Sequence, residues 1–161
     1  MSVYESERRK STRDFIKYAR AMQLKSLSYT SQFPEKYTDM AKYINNLAFE
    51  VHDQAKRAED YPDNFVQDLV QIRIYLLSSR AALTSLISQV DLAYELFPLS
   101  GYSYTNRRNN DEESDQKIEV ASLKDLNKST RILRDWSASL FDALTALDEA
   151  IKHIDGRISC P

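Results

Sequence analysis

"FVQDLVQIRIYLLSSRAALTSLISQVDLAYELF", residues 65–97, decides the fold. Phe65, Leu69, Ile72, Leu76, Ser79, Leu83, Leu86, Val90, Ala93 and Phe97 recur in alternating steps of four and three. That spacing places them on one helix face. A repeat near 3.5 keeps the face turned toward a partner along its whole length, as in bundles whose helices cross at shallow angles. The spacing predicts a helix over 64–97, stopped by Pro98. A helix this regular needs other helices to cover it.

Three flanking stretches supply them. Upstream, Phe15, Ala19, Met22, Ser26, Tyr29 and Phe33 repeat the pattern. They predict a first helix over about 11–33, capped by Ser11 and closed by Pro34, because the residue before a proline avoids helical geometry. Met40/Ala41, Ile44, Leu47/Ala48, Val51, Ala55 and Ala58 predict a second helix over 35–59, with "EDYPDN" as the following turn. Downstream, Leu123, Leu126, Thr130, Leu133, Ser137, Leu140, Leu144, Leu147, Ile151 and Ile154 predict a fourth over 121–154, with Gly156 as its stop. Residues 98–117, with Gly101, several Asn and the acidic run "DEESD", read as a long mobile loop in which Tyr102 and Tyr104 tether the start. The expected fold is all-α: one domain, an antiparallel up-down-up-down four-helix bundle.

Composition agrees. The chain has 161 residues but only two Gly and four Pro, too few for the turns of a sheet protein. Its single cysteine, Cys160, allows no internal disulfide. No apolar run is long enough to span a membrane, and the polar N-terminus lacks a secretory core, so a cytoplasmic location is expected. Net charge is −2, which argues against indiscriminate nucleic-acid binding. The charge is uneven, however: residues 1–36 carry eight Lys/Arg against four Asp/Glu.

Catalytic groupings are missing. The histidines, His52 and His153, do not form the inward Glu-x-x-His pairs of di-metal bundles. No arginine stands four to six residues before either one, as a helical nuclease would need. There is no Gly-rich phosphate loop, Cys pair or Ser-His-Asp arrangement. The expectation is a non-enzyme without metal or cofactor. Two basic rows remain. Lys10, Arg13, Lys17 and Arg20 share one helical face, preceded by Arg8 and Arg9 in what reads as a flexible arm before Ser11. Lys124, Lys128, Arg131 and Arg134 share another. Such rows can follow phosphates along a strand, although a solvated helix face has the same spacing. Trp136 falls at the edge of the fourth stripe, where it either covers the core or meets a neighbouring subunit.

"MSVYESERRKSTRDF", "FPEKYTDMAKYINNLAFEVHDQAKRA", "LTSLISQVDLAYELF" and "RILRDWSASL", in that order along nearly the whole chain, resemble the accessory variability determinant proteins of diversity-generating retroelements. These are related to four-helix proteins encoded within ribosomal RNA intervening sequences. The resemblance implies a non-enzymatic, pentameric partner of a reverse transcriptase and its template RNA, supporting mutagenic cDNA synthesis. It further implies that Arg8, Arg9 and the two basic rows carry the RNA contacts. The alternative from the residues alone is a protein-interaction bundle that touches no nucleic acid.

Overall fold

A computed structural model describes the backbone of residues 3–108 and 112–160, and the side chains of 14–97 and 130–160. Four helices carry the fold: α1 (Val3–Thr30), α2 (Thr38–Asp60), α3 (Val66–Arg108) and α4 (Glu112–Ser159). A short 3-10 turn, Glu35–Tyr37, precedes α2. No strand occurs among the described residues.

Each helix packs against two neighbours, α1 on α2, α2 on α3, α3 on α4 and α4 on α1. Among the described residues neither diagonal pair brings its backbones close, so the four stand around a common core. The side-chain pairs give the register. Between α2 and α3, Ser79 Oγ donates to the Val51 carbonyl at 2.6 Å, and the Tyr61 and Tyr75 rings meet at 5.8 Å. Between α3 and α4, Arg73 pairs with Asp155 and Arg80 with Asp148, each at 2.5 Å, while Tyr94 meets Trp136. In both helix pairs, rising numbers on one partner match falling numbers on the other.

The core is largely the expected one. Phe15, Ala19, Met22 and Ser26 of α1, Ile44, Ala48, Val51, Ala55 and Ala58 of α2, and Leu69, Ile72, Leu76, Ser79, Leu83, Leu86, Val90 and Ala93 of α3 are all buried. Phe65 departs from the expected stripe. It stands just ahead of α3, 67% exposed, and its backbone N–H donates to Asp68 Oδ2 at 3.1 Å. The residue therefore starts the helix through its backbone and leaves its ring in solvent.

The helix ends differ in instructive ways. α1 begins at Val3, so Ser11 lies inside it and not at its start, and the backbone of Arg8, Arg9 and Lys10 is helical, not an arm. Glu5 to Lys10 are mostly good helix formers, and extending a helix costs far less than nucleating one. At the other end, α1 gives way before Pro34 to tight turns, Gln32 N–H to the Tyr29 carbonyl and Phe33 N–H to the Thr30 carbonyl, both 3.1 Å. α3 does not stop at Pro98, and α4 starts at Glu112, so the expected loop over 98–117 is replaced by helix on both sides of 109–111. A proline removes one hydrogen bond from a helix, and a helix that is already long and packed can absorb that loss. Gly156 likewise ends nothing; α4 continues to Ser159, and Cys160 N–H reaches the Gly156 carbonyl at 3.1 Å. The side chains of Tyr102 and Tyr104, offered as tethers, lie outside the described residues.

Candidate functional site

Of the ten basic residues singled out from the sequence, Lys17, Arg20, Arg131 and Arg134 have described side chains, and all four are exposed. Arg8, Arg9, Lys10 and Arg13 lie in α1 and Lys124 and Lys128 in α4, with side chains outside the described residues. The exposed four share a second property. Arg57, Arg73, Arg80 and Arg157 each hold a carboxylate, Asp53, Asp155, Asp148 and Asp63 respectively. Among the described residues, no ion pair involves Lys17, Arg20, Arg131 or Arg134. The described part of both rows thus carries uncompensated positive charge, as do Lys36, Lys42 and Lys152, which likewise enter no ion pair among the described residues.

The fold keeps the rows apart. Lys17 and Arg20 face the C-terminal half of α2, near the end of the bundle that holds Tyr61, Tyr75 and Asp155. Arg131 and Arg134 precede Trp136, at the end that holds Phe33, Tyr94 and Phe97. They do not form one continuous track.

Between α1 and α2 the first row gains neighbours that periodicity did not reveal. An open groove of about 460 Å³ is lined by Ile16, Lys17, Arg20, His52, Lys56 and Glu59. The positions on α2 sit four and three apart, so His52, Lys56 and Glu59 share the side that meets α1. Three permanent cations thus face one carboxylate. His52 is held below the ordinary imidazole pKa, first by burial and then by the charges of Arg20 and Lys56; Asp53 and Glu59 pull the other way. The neighbouring groove, about 400 Å³ around Asp53, Lys56, Arg57, Asp60 and Tyr61, is already neutralised by Arg57–Asp53 at 3.2 Å and Lys56–Asp60 at 3.3 Å.

Trp136 is not available to a second subunit. It is 0% exposed, in a ring cluster with Tyr29, Phe33 and Tyr94. Its indole N–H donates to Ser26 Oγ at 3.0 Å. The misplacement has a physical cause. The buried line of α4 is Trp136, Leu140, Ala143, Leu147, Ala150 and Ile154, whereas Leu133, Ser137, Leu144 and Ile151 are only half-buried. Following the leucines rotates the face and leaves Trp136 at its edge.

Beside Trp136, Asp135 accepts hydrogen bonds from the Tyr29 hydroxyl and from Lys25 Nζ, the latter at 3.0 Å. The Tyr29 hydroxyl is pushed up to about 12, chiefly because Asp135 holds its proton; the same bond lowers the Asp135 carboxyl. Both groups brace α1 against α4.

No family model, curated protein or solved structure matches this chain. Among the described residues, no group of three His, Cys, Asp or Glu is placed to hold a metal ion, and no helix is long and apolar enough to cross a membrane. A second surface lies on α3. Val66, Val70, Ile74 and Leu77, spaced four, four and three, form an exposed apolar stripe on its outer face.

Proposed function

We propose that this chain is a non-enzymatic adaptor: an antiparallel, up-down-up-down bundle that binds a reverse transcriptase and its template RNA and supports mutagenic cDNA synthesis. It acts in the cytoplasm as a homo-oligomer, a pentamer by the resemblance. The resemblance read from the sequence supplies the partner class. The observation that carries the reading is the unpaired cationic surface at Lys17, Arg20, Arg131 and Arg134, in a chain whose other described arginines are all paired with carboxylates. An acidic protein that leaves these cations free at two separate places offers polyanions local footholds without general stickiness.

The test is binding of the reverse transcriptase–RNA complex at two salt concentrations. Affinity falls as salt rises. The paired variants Lys17→Ala/Arg20→Ala and Arg131→Ala/Arg134→Ala each weaken binding. Each also lowers the salt slope by about 2, one for every phosphate that the variant no longer neutralises. Undiminished binding by the variant lacking all four cations overturns the RNA-positioning role.

The exposed stripe of Val66, Val70, Ile74 and Leu77 favours a second reading, a protein-interaction bundle with no nucleic-acid contact. Under that reading the reverse transcriptase binds without RNA, and salt has little effect on it.

A further inference from the structure

We propose that the groove between α1 and α2 is a binding site for a phosphate group, held by Lys17, Arg20 and Lys56, with the His52 imidazole as a further N–H donor. The inference rests on the RNA-binding reading for its source of phosphate, a backbone diester, while the groove itself is defined by the residues that line it.

Its chemistry follows from which charges are free. Lys17 and Arg20 enter no ion pair among the described residues. Lys56 is shared between Glu59 at 4.0 Å and Asp60 at 3.3 Å, contacts between exposed groups that hold it weakly. A phosphodiester, with a full negative charge shared by two non-bridging acceptor oxygens, competes well for it. Arg20 reaches in from α1 and Lys56 from α2, so a phosphate between them would bridge the two helices. Ile16 adds an apolar wall.

His52 makes the site sensitive to pH. The groups that act on it are Arg20 from α1 and Lys56, Asp53 and Glu59 from its own helix; Lys17 lines the same groove. Asp53 is engaged by Arg57 at 3.2 Å, and Glu59 is held only loosely, by Lys56 at 4.0 Å. Burial, Arg20 and Lys56 keep the imidazole neutral near pH 7. A phosphate seated between Arg20 and Lys56 cancels the field that repels the proton. Phosphate binding therefore raises the His52 pKa, and by reciprocity protonation tightens phosphate binding. Affinity rises as pH falls, by up to about tenfold for each unit by which the bound phosphate raises that pKa.

The experiment follows the imidazole resonances of the two histidines by NMR across pH, with the full chain free, with a short single-stranded RNA, and with inorganic pyrophosphate. His153, on α4 and outside the lining of the groove, is the internal reference. The expected result is a rise in the His52 pKa with either ligand and no comparable change at His153. Affinity for the RNA, measured at about pH 5.5 and about pH 8, falls as pH rises. His52→Gln flattens that dependence, Lys17→Ala/Arg20→Ala weakens binding at both pH values, and Glu59→Gln tightens it. RNA that binds without moving the His52 pKa, and with a pH dependence that His52→Gln leaves intact, overturns this site while the RNA reading stands. Pyrophosphate that raises the His52 pKa while RNA fails to bind supports the site and overturns the RNA reading. Failure of both ligands overturns both.

Discussion

The indole of Trp136 donates to Ser26 Oγ at 3.0 Å, and that hydroxyl donates onward to the Met22 carbonyl at 2.9 Å. One serine thus satisfies the polar edge of the largest buried side chain. Ser26→Ala should cost about 1–3 kcal/mol, because the indole N–H is then buried without an acceptor. Trp136→Phe combined with Ser26→Ala should cost less than the sum of the single changes, since the phenyl ring has no N–H to strand. Chemical denaturation of the three variants checks both statements. The tyrosines nearby set the alkaline limit. Tyr29 is raised to about 12 by its bond to Asp135, and Tyr94 to about 12 by burial. A raised phenol favours the folded state fully below the ordinary value of 10.0, and that contribution is lost as pH climbs from there toward about 12. Asp135 has the opposite sign: its lowered pKa favours the folded state above the ordinary 3.8 and is lost as pH falls through the folded value. Tyrosinate absorbance should show Tyr29 and Tyr94 ionising late, near pH 12, and Tyr29→Phe should remove one of these late steps.

At the scale of the element, α3 was legible and α4 was legible with its phase turned. In α3 the four-three line coincides with burial from Leu69 to Ala93, although Val66, Val70, Ile74 and Leu77 stand exposed on the opposite face. In α4, small residues do much of the packing. Ala143, Ala146 and Ala150 are buried, while Leu144, a larger side chain, is only half-buried. A reading weighted by hydrophobicity follows the leucines, whereas the helix turns its alanines inward. Truncation measures the phase directly. Leu140→Ala and Leu147→Ala should each cost about 2.5–5 kcal/mol, the range for deleting a fully buried leucine. Leu144→Ala should cost clearly less. Equal losses at Leu144 and Leu147 would restore the face expected from sequence. The groove on α1 and α2 shows the converse limit. The row Lys17 and Arg20 was visible as spacing within one helix, but Lys56 and His52 join it only through the register of α1 against α2, which no single-helix pattern contains.

Across the whole molecule, the core faces are satisfied and the outer surfaces differ from one another. Among the described residues, no buried side-chain nitrogen or oxygen lacks a hydrogen-bond partner, so the bundle needs no further contact to complete its interior. Its outside is another matter. Val70 and Ile74 are 43% and 49% exposed, and with Val66 and Leu77 they make an apolar row that water covers poorly. The proposed homo-oligomer gives that row an occupant, since a face carrying no like charge within it can meet its own copy without repulsion. Val70→Glu/Ile74→Glu separates folding from assembly. Both side chains point away from the core, so helical content should be unchanged and stability altered by no more than about 0.5 kcal/mol. Sedimentation should show the wild-type chain as a species heavier than the 18.7 kDa protomer and the double variant at the protomer mass. The two new carboxylates would be driven together across any interface formed by this row, which is why two substitutions suffice. A wild-type chain that sediments as the protomer at every concentration removes self-association and leaves the row to the proposed reverse transcriptase partner; under that proposal the same double variant should lose the reverse transcriptase while keeping the proposed salt-sensitive binding of RNA through Lys17, Arg20, Arg131 and Arg134.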